Sequence, residues 1–304
     1  ETLIVSFQLI DDNKLQSAPP PGMLYWTGGA RFWGGLSAGE TAPYPRGERF
    51  SSFALLDTLL TSLTITESLL PNLESIVVSG HSGGGQFANR YAATSPFERT
   101  MLPGGRNIPV SYIVMNPSNY LYFNERRFDP LTLDLEAGVV DFIDPSPPSA
   151  GHNDYGYGLD DLYSYPSSVG IASIVSQYPC RKVIYLAGEA DIGDGNLDTT
   201  TRGTLQGTNR YERALIYYEH LKDNFGVANL PRHRLATVPG VGHNSFAMVT
   251  SDKGLWHHFH APMTQAAYDT AVAAARTEGR GDVTSDPASY NLVTQASYDA
   301  VAAE

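Results

Sequence analysis

The stretch Ile76-Val77-Val78-Ser79-Gly80-His81-Ser82-Gly83-Gly84-Gly85-Gln86-Phe87-Ala88-Asn89-Arg90-Tyr91 decides how this chain is read. Ile76 to Ser79 is an apolar run bounded by Gly80, as in a strand covered on both faces, where the pattern is continuous rather than alternating. Gln86 to Ala93 reads as a helix. Between them lies Gly80-His81-Ser82-Gly83-Gly84, a pattern that presents a serine on a tight strand-to-helix turn. The glycines belong there because side chains would collide with the neighbouring elements. The same turn aims the N–H of Gly83 and the start of the following helix toward a negative charge developing beside the serine. A bare Gly-x-Ser-x-Gly is weak, since a structural turn satisfies it too; the strand before and the helix after are the context that gives it meaning.

Working outward, Val110–Met115, Lys182–Leu186 and Leu235–Val238 read as further strands, with a helix over Tyr211–Leu221 between the last two. Upstream, Phe53, Leu55, Leu56, Leu59, Leu60 and Leu63 fall at helical spacing behind Ser51 or Ser52 as N-cap. Residues 2–9 form a short β-rich apolar run, read as a strand. Ser17 to Gly47, holding Trp26 and Trp33, reads as irregular loop. Strands alternating with helices imply an α/β fold, a mostly parallel sheet with helices on both faces.

The segment from about Asn116 to Gln177 breaks the alternation. It is rich in Pro, Ser, Gly and Tyr, including Tyr120, Tyr122, Tyr155, Tyr157, Tyr163 and Tyr165. It is expected to be a cap insertion over the C-terminal edge of the sheet, where open α/β folds bind ligands. Tyr120 and Tyr157 are its candidate substrate contacts.

A serine nucleophile needs a base, and the base needs an orienting carboxylate. The strand Lys182–Leu186 runs into Ala187-Gly188-Glu189-Ala190-Asp191, and Leu235–Val238 runs into Pro239-Gly240-Val241-Gly242-His243. Ser82, Asp191 and His243 therefore follow in the chain order Ser, Asp, His, each at the end of a successive strand. They form the candidate catalytic set, with Gly83 as an oxyanion donor. Glu189, Asp194 and Asp198 read as solvated loop charges. His233 opens the strand that ends near His243, so it should lie at the opposite edge of the sheet. His257, His258 and His260 lack a Cys or acid at ligand spacing and read as a surface cluster, not a metal site. Asp194, Asn196 and Asp198 begin like a calcium loop but lack its later glycine and acid. The chemistry calls for no metal and no cofactor.

Composition agrees. The chain has 304 residues and 42% hydrophobic content, enough for one sizeable core. Twenty Lys and Arg against 32 Asp and Glu give a formal charge of -12 without a basic run, which argues against a nucleic-acid partner. No apolar stretch is long enough to span a bilayer. Cys180 is alone, so no intramolecular disulfide forms. Beyond a domain over 1–260, the Ala-rich segment 261–304 repeats Thr264-Gln265-Ala266-Ala267-Tyr268-Asp269 as Thr294-Gln295-Ala296-Ser297-Tyr298-Asp299. It reads as a spacer, with two docked terminal helices as the alternative.

Ile76–Tyr91, Asn116–Phe123, Tyr157-Gly158-Leu159 and Val183–Asp191 together resemble an α/β-hydrolase family of bacteria and fungi whose substrates are largely uncharacterised. The resemblance covers roughly residues 1–260, and the terminal repeat is similar to spacers of secreted bacterial proteins. It implies an α/β-hydrolase fold, serine hydrolase activity and a secreted or periplasmic location. In that family a preceding N-terminal part carries a His-Gly type loop with a second oxyanion donor. Either residues 2–9 are the fourth strand, with the first three missing from this chain, or they are the third and the donor lies just after Gln8. Three functions remain open: hydrolysis of a small-molecule or polymeric carboxylic ester, a peptidase or amidase activity of the same triad, and a catalytically silent module that binds carbohydrate or a cell surface.

Overall fold

A computed structural model of the chain describes residues 2–64, 70–99, 108–145 and 150–259. The terminal repeat lies outside the described residues. The first helix, α1 (Ser52–Thr64), starts where the apolar periodicity starts. Ser51 caps it, its hydroxyl accepting from the Phe53 N–H at 3.1 Å. It is followed by β1 (Ile76–His81) and α2 (Gly83–Thr94), then β2 (Val110–Met115). The insertion contributes a two-stranded antiparallel ribbon, β3 (Arg127–Phe128) with β4 (Phe142–Ile143), and two short helices, α3 (Ser164–Val169) and α4 (Ile171–Gln177). The alternation then resumes with β5 (Lys182–Gly188), a single turn α5 (Thr201–Thr204), α6 (Arg210–Phe225) and β6 (His233–Val238). Helices α7 (Ser245–Thr250) and α8 (Asp252–Phe259) close the described chain.

The main sheet is wholly parallel in the order β1-β2-β5-β6. Its two faces are covered by different helices. Val110, Tyr112 and Val114 of β2 and Val183, Tyr185 and Ala187 of β5 point into the large cluster built with α1, α2 and α6. The alternate residues Ile113, Met115 and Leu186 pack with Val238 and with Met248 of α7 on the other face. This explains the unbroken apolar pattern of the central strands. On that second face α8 is tied to β1: His258 Nδ1 donates to the Gly254 carbonyl at 2.6 Å, which leaves Nε2 to accept from the Ser79 hydroxyl at 2.7 Å.

One expected strand does not form. Residues 2–9 have no regular structure, and Leu3, Ile4 and Val5 are 62%, 76% and 53% exposed. A strand is stabilised by ladder partners, and none of the described strands pairs with this run. It is thus neither a third nor a fourth strand of the described sheet. The irregular reading of Ser17 to Gly47 holds, relieved by a 3-10 turn at Gly28–Trp33 that packs against α2.

The tyrosines of the insertion turn inward. Tyr120, Tyr122, Tyr155 and Tyr157 are buried, and Tyr120 stacks on Tyr217 of α6 with centroids 4.3 Å apart. Buried arginines stitch the insertion to the sheet layer. Arg90 of α2 donates to the Asn119 side chain at 2.6 Å and to the Gly156 carbonyl, and Arg213 of α6 donates to the carbonyls of Ser118 and Asp198. Beneath them Asn89, Tyr178, Tyr185, Tyr217 and His233 share one hydrogen-bond network. Tyr178 and Tyr185 hydroxyls are 2.6 Å apart, and Asn89 Nδ2 donates to Tyr178 at 3.1 Å and Tyr217 at 3.2 Å.

Candidate active site

The turn after β1 has the strain its sequence implies. Ser82 adopts φ 57° and ψ -118°, a positive φ that a serine holds only where its surroundings impose it. Two glycines make this possible by close approach. A Cβ on Gly80 would lie 2.1 Å from the Gly84 carbonyl oxygen, and one on Gly85 would lie 2.5 Å from that of Met115. Strand, turn and helix are therefore in backbone contact. The Ser82 N–H donates to the Met115 carbonyl at 2.9 Å, fixing the turn to β2.

Ser82 occupies the N-cap position of α2, yet its side chain makes no capping bond. Its hydroxyl instead lies 3.0 Å from His243 Nε2, and His243 Nδ1 lies 2.7 Å from Asp191 Oδ2. The carboxylate accepts the Nδ1 proton, so Nε2 is free to accept from Ser82. The three residues come from three strand ends and meet at the C-terminal edge of the sheet. Asp191 is 1% exposed and the His243 side chain 27%, so the chain of bonds runs from the interior to the surface.

The loops that carry Asp191 and His243 are cross-braced. The N–H of Glu189 donates to the Val238 carbonyl and that of Ala190 to the Val241 carbonyl, both at 3.0 Å. Asn116, at the end of β2, has φ 44° and reaches both loops: Oδ1 accepts from the Gly188 N–H at 2.9 Å and Nδ2 donates to the Gly242 carbonyl at 3.4 Å. Beside these three residues, the His81 ring faces that of His243 with centroids 4.5 Å apart. Burial, and then the repulsion of His243, push His81 down to about 4, so it is neutral near neutral pH. The N–H groups of the first turn of α2, Gly83 included, have no partner within the helix.

The other sequence candidates fall elsewhere. Tyr120 is 1% exposed in the core, its backbone N–H held by Gln206 at 2.7 Å, and lines no open surface. Tyr157 is 4% exposed, its hydroxyl donating to Asp198 Oδ2 at 2.7 Å and its ring standing edge-on to Trp33. Both serve packing, because a tyrosine-rich segment in contact with two helices has apolar area to bury. Asp198 is no solvated charge. It accepts from Tyr157, from Asn119 at 2.8 Å and from the Thr200 hydroxyl at 2.6 Å; burial opposes its ionisation, but these bonds outweigh it and hold the carboxyl below its usual range. Glu189 accepts from the Thr237 hydroxyl. His233 lies at the start of β6, at the sheet edge away from His243 as its place in the chain requires, and is buried. Among the described residues no cluster of His, Cys, Asp and Glu is arranged to hold a metal ion. No helix there is long and apolar enough to cross a membrane.

No family model matches the chain, and no curated protein matches it. Solved structures do. A poly(3-hydroxybutyrate) depolymerase from Bordetella parapertussis aligns over 71% of this chain and 60% of its own, at 22% identity and TM-score 0.46. Poly(aspartic acid) hydrolase-1 from Sphingomonas sp. KT-1 aligns over 67% and 62%, at 19% identity and TM-score 0.41. A carboxylesterase structure from the ammonia-oxidizing thaumarchaeon Nitrososphaera gargenis aligns over 67% and 69%, at 15% identity and TM-score 0.26. This chain thus spans less than two thirds of the first two. The mainly parallel sheet, its flanking helices and the strained serine turn after β1 make the architecture one of the α/β-hydrolase type.

Proposed function

We propose that this protein is a serine hydrolase that cleaves a carboxylic ester through an acyl-enzyme on Ser82. The observation that carries the reading is the continuous bond chain from Ser82 Oγ through His243 to Asp191, on a serine whose strained backbone serves no capping role. In this reading His243 Nε2 takes the Ser82 proton as Oγ attacks the ester carbonyl, and returns it to the departing alkoxide. A water molecule then repeats the cycle on the acyl-enzyme. Asp191 keeps the imidazole in the required tautomer and stabilises the imidazolium. The Gly83 N–H, at the positive end of α2, faces the oxyanion. None of these steps draws on a cofactor.

The test is turnover of p-nitrophenyl esters of graded acyl length by the wild type and Ser82→Ala, with a fluorophosphonate to titrate the nucleophile. Loss of the triad serine is expected to lower kcat by at least about 10,000-fold, the scale at which triad serines act. Full turnover in Ser82→Ala would sink the proposal. Peptide and amide substrates run in parallel decide whether the same triad favours amides.

A further inference from the structure

We infer that Arg210 is a positioning residue of the same site, holding the Asp191 carboxylate oriented so that one of its oxygens is kept for His243. The inference rests on the serine hydrolase reading and extends it by a fourth residue.

Arg210 is the first residue of α6, where a cation opposes the helix dipole. Its side chain is 1% exposed, where a charge is costly without a partner. The partner is Asp191: Arg210 Nη1 stands 3.5 Å from Asp191 Oδ1, and the Asp191 side chain is also 1% exposed. The two carboxylate oxygens are thereby divided, Oδ1 toward Arg210 and Oδ2 toward His243 Nδ1 at 2.7 Å. Two further contacts fix this end of α6. Nη2 donates to the Gly195 carbonyl at 2.9 Å, and the Tyr211 N–H next to it donates to the Asp191 carbonyl at 3.3 Å. The N-terminus of α6 is thus docked on the acid loop by both backbone and side chain.

The electrical consequence follows from the arrangement. A buried carboxylate without a counter-charge would act on His243 with its full field. Arg210 beside Oδ1 offsets part of that field at the imidazole. The ionisable groups on His243 from each packed element are His81 of β1, Asp191 after β5 and, through Asp191, Arg210 of α6. Of these only Arg210 carries a fixed positive charge. Burial works to lower the Arg210 pKa, and Asp191 works against that.

The test compares wild type, Arg210→Met and Arg210→Lys in the full chain, with kcat expressed per Ser82 titrated by fluorophosphonate. That normalisation removes misfolded protein from the comparison. Arg210→Met is expected to lose about 10- to 100-fold in kcat, with KM changed less than about threefold. The acid limb of its pH–rate profile should move up, because Asp191 then acts on His243 without a counter-charge. Arg210→Lys, which keeps the charge and surrenders the fork, should hold the limb in place and recover most of kcat. If Arg210→Met yields no folded protein, Arg210→Gln takes its place: a lowered kcat with KM kept and a raised acid limb supports the inference, and a wild-type kcat with an unmoved limb overturns it. A wild-type kcat per titrated site with an unmoved limb in Arg210→Met makes Arg210 merely structural and overturns the inference. A wild type that fluorophosphonate does not label at Ser82 overturns the hydrolase reading, and this inference with it.

Discussion

Replacing Gly80 by alanine while leaving Gly84 as an internal control isolates the mechanics of the serine turn. A Cβ at Gly80 would sit 2.1 Å from the Gly84 carbonyl oxygen, whereas a Cβ at Gly84 meets nothing within 4 Å. Real Cβ atoms keep at least 3.0 Å from such an atom, so β1 and the first turn of α2 must separate by about 1 Å. The obstacle is backbone, so no side-chain rotation relieves it. Overpacking of this kind costs about 1–3 kcal/mol. Displacing Ser82 by a comparable amount would stretch its 3.0 Å bond to His243, and a 1 Å misplacement of a reacting group costs on the order of 100-fold in rate. Gly84→Ala should be neutral or gain up to about 1 kcal/mol, because alanine is the better helix former. The assays are urea unfolding and ester turnover of both variants, normalised to folded protein. The reasoning is refuted if Gly80→Ala keeps its rate within about threefold of wild type, or if Gly84→Ala falls as far.

Two further outcomes follow from groups outside the turn. Burial, against the support of the Tyr178 carbonyl, pushes His233 down to about 4 from its ordinary 6.5, and His220 is lowered in the same direction by burial and the nearby arginines. A histidine held neutral stabilises the fold above its unfolded pKa and loses that contribution as pH falls, so unfolding free energy should drop below about pH 6.5 by up to about 1.4 kcal/mol per pH unit for each such group. Urea midpoints that stay level between about pH 7 and pH 5 would contradict this. Asn116→Ala should lower stability by about 1–3 kcal/mol and kcat by about tenfold or more, since it unties the loops that carry Asp191 and His243 from β2. Asn116→Gly suits the φ of 44° and should recover part of the stability but not kcat, which circular dichroism and turnover read separately.

Most of the sheet was legible because each strand carries its own signal. Val110–Met115 and Lys182–Gly188 are buried on both faces, and that environment demands an apolar residue at nearly every position. The juxtaposition of Ser82, Asp191 and His243 was legible because they sit at successive strand ends, which a parallel sheet brings to one edge. Residues 2–9 misled because local composition records β-preference but not whether a neighbouring strand exists to pair with. The burial of Tyr120 and Tyr157 was not legible for a related reason: in sequence a tyrosine offered to a ligand looks the same as one bonded to Asp198 or stacked on another ring. Arg210, Asn116 and His81 gave no usable signal. An arginine opening a helix reads as an exposed charge until the fold places Asp191 against it.

The tyrosine interior gives the molecule a built-in optical clock. Burial raises the ionisation of Tyr120, Tyr122, Tyr178, Tyr185 and Tyr217 above the ordinary phenol range; neighbouring tyrosines add to the effect at Tyr185 and Tyr217, while at Tyr178 the hydroxyls of Tyr185 and Tyr217 offset part of it. After a jump to alkaline solution, solvent-facing phenols ionise within the mixing time. The interior ones must wait for the chain to open. Tyrosinate absorbance therefore separates into an instantaneous step and a slow phase whose rate is that of unfolding, with no label attached.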